Sequence, residues 1–255
     1  MSIPSRIRRI VLPIGLAIAS ACLSVTSPAG PPQLVGDGPK VLFIGNSYTY
    51  VNDVPGMVQA LAVAANTPIA VETVANPDYA LVDHWNGGSQ ARSEIAKGGW
   101  KYVVLQQGPS SVDVNRDTLR LAAKLFDADV RKIGGTTALF SAWPTQDRRV
   151  DFPRAIESYR IAASDVSGVF LPVAGAWLAA WERDATLPLY ASDGLHASAA
   201  GSYLTALVIY AKLTGQSPVG SPAQLTLANG GRVTIAPQVA SMLQDAATAA
   251  IGASP

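Results

Sequence analysis

The sequence predicts an α/β fold, a central parallel sheet covered by helices on both faces. Three observations lead there. Short apolar runs, such as those at 41–44 and 102–105, alternate along the chain with longer segments whose apolar residues recur every three or four positions. The runs are continuous rather than alternating, as expected of strands covered on both faces. Hydrophobic residues make up 49% of the 255 and charged residues 15%, which suits one well-filled globular domain rather than a disordered chain.

The N-terminus stands apart from that domain. Arg6, Arg8 and Arg9 precede a mostly apolar stretch over 11–25 that ends in small residues, the layout of an export signal spanning 1–29. Pro13 and Gly15 interrupt it, and it falls short of the roughly 20 apolar residues of a membrane span. Cleavage sites are offered after Ala19-Ser20-Ala21 and after Ser27-Pro28-Ala29; an uncleaved anchor is the competing reading. Cys22 is the sole cysteine, which excludes an intrachain disulfide. Behind Ala19-Ser20-Ala21 it resembles a degenerate bacterial lipobox, with Ala19 where leucine is usual. On that resemblance Cys22 carries lipid and attaches the protein to a membrane; otherwise it is a small apolar residue of the signal. The expected location is outside the cytoplasm: secreted, periplasmic or lipid-anchored at the cell envelope. Residues 30–39, rich in Pro and Gly, read as a flexible leader, and 40–255 as a single domain.

Within the domain the elements follow in order. Residues 41–44 form the first buried strand, and Met57, Val58, Leu61, Ala62 and Ala65 mark a helix face. A β-rich segment over 69–74 follows, then a helix over 81–96 interrupted near Gly87-Gly88. The strand at 102–105 leads to a helix with Leu119, Ala122, Ala123, Phe126 and Val130 on one side, stopped by Gly134-Gly135. A strand is expected over 137–143, closed by Pro144, and a helix over 152–163. A short strand over 169–173 and a helix over 174–183 come next. The last strong helix is expected over 196–213, with Leu204, Leu207, Val208 and Ala211 on one face. Residues 225–251 suggest a strand pair around Asn229-Gly230-Gly231 and a helix, an appendage without its own core. Parallel sheets of this kind bind ligands at the carboxyl ends of their strands, where Ser47 and Gln106 fall.

Two segments carry chemistry. Gly45-Asn46-Ser47 places a serine at the end of the first strand, and Asp193-Gly194-Leu195-His196 places a carboxylate three residues before an imidazole. Nucleophile, general base and orienting carboxylate are the parts of a hydrolytic triad. The chain has only two histidines, His84 and His196, and only His196 has an acidic residue three positions before it. At that spacing both side chains can share the first turn of a helix. A bland reading makes Ser47 and Asp193 helix caps. Thr49 replaces the second glycine of a Gly-x-Ser-x-Gly elbow, which argues against an ordinary α/β-hydrolase. If the triad is real, Ser47, His196 and Asp193 meet at one sheet edge. The hydroxyl is then expected roughly 2.6–3.2 Å from an imidazole nitrogen, or further apart without ligand.

Together these segments resemble the SGNH, or GDSL-like, hydrolase family in its Gly-Asn-Ser variant. Residues 41–50, with Asn52-Asp53-Val54-Pro55, resemble its first block; Asp193-Gly-Leu-His196, followed by Ala197-Ser198-Ala199-Ala200-Gly201, resembles its last. The resemblance spans about residues 40 to 215 and implies a flavodoxin-like three-layer α/β/α sandwich. It further implies Ser47 as nucleophile, His196 as base and Asp193 as orienting acid. The family builds its oxyanion hole from the serine N–H, a glycine N–H and an asparagine amide. Here the middle blocks depart from that pattern. Asp78 is the nearest substitute for the glycine, although its carboxylate would oppose a developing negative charge. The third region has Leu105-Gln106-Gln107-Gly108-Pro109-Ser110 in place of Gly-x-Asn-Asp, making Gln106 the expected amide donor ahead of Gln107 or Ser110. His84, Tyr79 and Trp85 are candidates to line the substrate pocket, with a purely structural His84 as the alternative.

The leading functional expectation is an exported serine esterase acting on acyl esters, among them carbohydrate O-acetyl esters. A non-catalytic envelope binding module and an acyltransferase using the same triad are the alternatives. A formal net charge of +1 offers no footprint for nucleic acid. No His/Cys spacing calls for a metal, and no phosphate loop or dinucleotide fingerprint calls for a cofactor. The expected partner is therefore a small-molecule or carbohydrate ester; oligomeric state is not legible.

Overall fold

The computed structural model describes residues 38–254. The expected export signal, Cys22 and most of the 30–39 leader lie outside the described residues. The apolar runs become five parallel strands: β1 (Lys40–Gly45), β2 (Ala70–Ala75), β3 (Trp100–Leu105), β4 (Thr136–Phe140) and β5 (Val169–Leu171). Their order is β2-β1-β3-β4-β5, the flavodoxin-like order. Val41, Leu42, Phe43 and Ile44 are all buried, so both faces of β1 are covered and an uninterrupted apolar run is what the position requires.

Nine helices surround the sheet among the described residues: α1 (Ser47–Tyr50), α2 (Val54–Ala64), α3 (Leu81–Asp83), α4 (Ala91–Ala96), α5 (Asp113–Lys132), α6 (Phe152–Asp165), α7 (Val173–Arg183), α8 (Ala199–Thr214) and α9 (Pro237–Gly252). Contacts sort most of them into two layers. Helices α2, α7, α8 and α9 pack with one another, and α3, α4 and α6 pack on α5. The chain winds away from β1 in both directions. A crevice is therefore expected where β1 and β3 end side by side, and the serine lies there.

Most expected elements appear, with shifts that have local causes. The helix over 81–96 breaks as the glycines suggested: one wide turn, His84–Gly88, separates α3 from α4, and Gly87 adopts φ 93°. Strand β4 stops at Phe140, three residues short of the expected end. There Ser141 N makes a last bond to Leu171 O of β5, and Ala174 N donates to both the Ser141 carbonyl and its hydroxyl, tying it to the start of α7. Helix α8 starts at Ala199 and not at His196, because Ser198 is the N-cap and accepts from Gly201 N. The C-terminal region is no appendage. The hairpin of β6 (Gln224–Thr226) and β7 (Arg232–Thr234) forms as read, but α9 packs on α7 and α8 and buries Leu243, Ala246, Ala247 and Ala250 in the common core.

Candidate active site

Ser47 owes its position to the end of β1. The chain leaves the strand at Gly45 and enters α1 through Asn46, whose Oδ1 accepts from Tyr48 N at 3.1 Å as an N-cap. Ser47 is the first helical residue, so its N–H has no acceptor within the helix, and it finds none elsewhere among the described residues. Behind the turn sits Gln106, fully buried. Its Oε1 accepts from Asn46 N (3.0 Å) and Thr49 Oγ1 (2.8 Å), and its Nε2 donates to Asn46 Oδ1 (2.9 Å) and Gln107 O (2.6 Å). Gly45 permits this approach: a Cβ there would stand 2.5 Å from both Gln106 Oε1 and Thr49 Oγ1.

Asp193 and His196 lie on a loop before α8, not in a helical turn. Asp193 Oδ1 accepts from Leu195 N and His196 N, both at 2.9 Å, while Oδ2 meets His196 Nδ1 at 2.6 Å. These three bonds, led by the imidazole, hold the Asp193 carboxyl down at about 2, so it stays ionised. A carboxylate only accepts. Nδ1 therefore carries the proton in the neutral ring, leaving Nε2 as the free lone pair. Asx-turn geometry favours this spacing, as does Gly194 at φ 66°.

The loop is anchored at the carboxyl edge of the sheet. Trp143 Nε1 donates to Leu195 O at 3.0 Å and Gln146 N to Gly194 O at 2.8 Å, both from the segment just after β4. Trp143 stacks on Trp177 at 4.3 Å and meets Tyr48 edge-on at 4.8 Å, forming a buried aromatic stack behind Tyr48. Burial, then the Asp193 charge, push the Tyr48 hydroxyl up to about 12, so it stays neutral. Leu195, between Asp193 and His196, lines the same cleft as Ser47, while Asp193 and His196 themselves do not line it. The expected short contact is absent: among the described residues, neither Ser47 Oγ nor His196 Nε2 has a hydrogen-bond partner. Such contacts often tighten only around a bound substrate.

The oxyanion candidates separate sharply. Gln106 was expected to offer its amide to the space beside Ser47. Both its N–H bonds are spent on Asn46 and Gln107, so it holds the nucleophile turn instead. Gln107 lines the cleft, but its amide is engaged with Leu81 N, Ser110 Oγ and Asn115 O. Ser110 Oγ donates to Gly108 O. Asp78 fares better. Its turn is tied beside the nucleophile by Asn46 Nδ2 donating to Tyr79 O (2.9 Å) and Asn76 N to Gly45 O (3.1 Å). Asp78 adopts φ 59°, the left-handed region that favours glycine, and its N–H has no acceptor among the described residues. Two free main-chain N–H groups, of Ser47 and Asp78, therefore border the cleft.

Two of the three pocket candidates lie elsewhere. His84 is fully buried. Its Nε2–H donates to Gly45 O at 2.9 Å, and its Nδ1 accepts from the Ser89 hydroxyl at 2.7 Å. Burial lowers its pKa against the opposing pull of Gly45 O and Asp83, so it is a neutral strut beneath β1. Trp85 packs edge-on against Phe126 at 5.2 Å, under the Arg92 guanidinium, away from the cleft. Tyr79 does line the cleft.

The cleft encloses about 490 Å³. Besides the residues above, its walls include Asn115 and Thr118 of α5, and Arg148 and Asp151, which pair at 2.6 Å. Sequence reasoning missed these four. Only their convergence from separate elements gives them meaning, and no local motif marks it. Among the described residues no group of three or more His, Cys, Asp or Glu could hold a metal ion.

No protein-family model matches the chain, and no curated protein matches it in sequence. Solved structures do. A protein from Slackia heliotrinireducens assigned to the SGNH hydrolases superposes with a TM-score of 0.60 at 23% identity, over 69% of this chain and 100% of that one. A DUF4886 family protein from Bacteroides uniformis gives 0.70 at 18% identity, over 85% and 96%. A psychrotrophic esterase from Pseudoalteromonas gives 0.50 at 14% identity, over 69% and 97%. The order of the sheet, the placement of the serine after β1 and these superpositions agree: the chain has the fold of the SGNH (GDSL-like) hydrolases.

Proposed function

We propose that the protein is a serine ester hydrolase with Ser47 as nucleophile, His196 as general base and Asp193 as orienting acid. One arrangement supports the reading: Asp193 Oδ2 meets His196 Nδ1 at 2.6 Å, leaving Nε2 free, and Leu195 between them lines the same cleft as Ser47. In the reaction Ser47 Oγ attacks the acyl carbon while His196 Nε2 takes the hydroxyl proton. The carbonyl oxygen becomes an oxyanion, stabilised by the N–H groups of Ser47 and Asp78. Collapse breaks the bond to the alcohol oxygen, which leaves with the proton from His196. Water, deprotonated by the same nitrogen, then releases the acid and restores Ser47.

Asn115, Thr118 and the Arg148–Asp151 pair line the cleft with donors and acceptors. That lining suits a polyhydroxylated alcohol better than a long acyl chain, and supports carbohydrate O-acetyl esters as the substrate class. Export through the 1–29 signal, with or without lipid on Cys22, belongs to the same proposal. The open Ser47–His196 contact favours the binding module as the second reading. Hydrolysis of p-nitrophenyl acetate and of acetylated sugars decides between them. Ser47→Ala and His196→Ala should each abolish turnover, and the double variant should be little worse than either. A wild-type protein without esterase activity would favour the binding module.

A further inference from the structure

Serine and histidine come from opposite ends of the chain, and something must hold their segments in register. Asn52 closes the nucleophile's own segment, two residues beyond α1. Its Nδ2 lies 2.9 Å from Ala197 O and 2.9 Å from Ser202 Oγ, so one amide hydrogen goes to each. Ala197 follows His196 directly, 145 positions from Asn52. The other bonds at His196 come from within its own loop: Asp193 holds its N–H and ring, and Ala191 N holds its carbonyl. Among the described residues, Asn52 makes the only direct hydrogen bond between residues 45–53 and the loop 189–198. Its backbone is also unusual. Asn52 sits at φ 59°, ψ 13°, a left-handed conformation that breaks the helical path and lets the amide reach across.

From this we infer that Asn52 is a positioning residue: it docks the base loop against the nucleophile segment and so sets the approach of His196 Nε2 to Ser47 Oγ. The inference rests on the proposed serine hydrolase reading. Asn52 lines no part of the cleft, so its loss should spare substrate binding and slow the chemical step.

The test uses Asn52→Gly, since glycine adopts this backbone freely and only the amide is lost. Asn52→Asp is the second variant; it tolerates the same backbone but offers no N–H to Ala197 O. With p-nitrophenyl acetate, both should lower kcat about 10- to 100-fold, the scale of a small misplacement of reacting groups, with KM little changed. Active-site titration with a phosphonate normalises kcat to folded, competent protein. In a His196→Ala background, Asn52→Gly should add no further loss, because it acts through the imidazole. Wild-type kcat per titrated site in both variants, with hydrolysis still abolished by Ser47→Ala, would overturn the inference alone. Hydrolysis surviving Ser47→Ala would overturn the functional reading, and the inference with it.

Discussion

At Asp78 the side chain and the backbone argue in opposite directions. Its carboxylate looks wrong for an oxyanion hole, yet its left-handed φ and free N–H are what a glycine would supply there. Asp78→Gly should therefore keep kcat within a few-fold and raise thermal stability. Asp78→Ala should also stay active but lose about 1 kcal/mol to backbone strain, a fall in Tm of about 2–4 °C by calorimetry. His84 makes the opposite case. Only its burial, which no local pattern reveals, separates a strut from a ligand-binding imidazole. Its lowered pKa fixes the sign of a pH effect. Above the ordinary value of 6.5 both folded and unfolded chains hold it neutral. As pH falls below that, the unfolded chain takes a proton that the folded protein resists, so this contribution to stability is lost on acidification. Melting curves between about pH 7.5 and 5 should fall more steeply for the wild type than for His84→Gln. Equal slopes would contradict a buried neutral ring.

At the scale of elements, the strands and long helices were legible because apolar runs and three-to-four spacing report burial directly. Boundaries were less so where side chains compete for backbone groups. Ser198 claims the start of α8, and Asp193 folds its own loop by accepting two main-chain N–H bonds, so the Asp-x-x-His spacing is met without a helix. The Gln106 role was hidden for a similar reason: a glutamine after a buried strand reads as a donor to the cleft until its partners are known. Gly45 depends on that same glutamine. Gly45→Ala should displace the Asn46–Ser47 turn because its Cβ would sit 2.5 Å from Gln106 Oε1. A loss of at least about 10-fold in kcat with the circular dichroism spectrum retained is the expected outcome; unchanged turnover would mean that the turn can relax around the methyl group.

The whole molecule explains why the site lies where it does. Winding reverses at β1, so the carboxyl ends of β1 and β3 border a crevice, and α1 points its N-terminus there. The C-terminal segment, read from sequence as an appendage, completes the layer that carries α8 and the base loop. Removing residues 237–254 should therefore abolish cooperative unfolding of the entire domain rather than trim a tail, because α7 and α8 would expose their packed faces. Ser47 is the proposed nucleophile of this crevice. The most direct measurement of that role is reaction of the purified protein with a fluorophosphonate, followed by peptide mass spectrometry and hydrolysis of p-nitrophenyl acetate on the same sample. A single adduct on Ser47, formed in step with loss of hydrolysis and absent from His196→Ala over the same period, is the predicted result. Hydrolysis that persists in Ser47→Ala, or an adduct on a different residue, would contradict it.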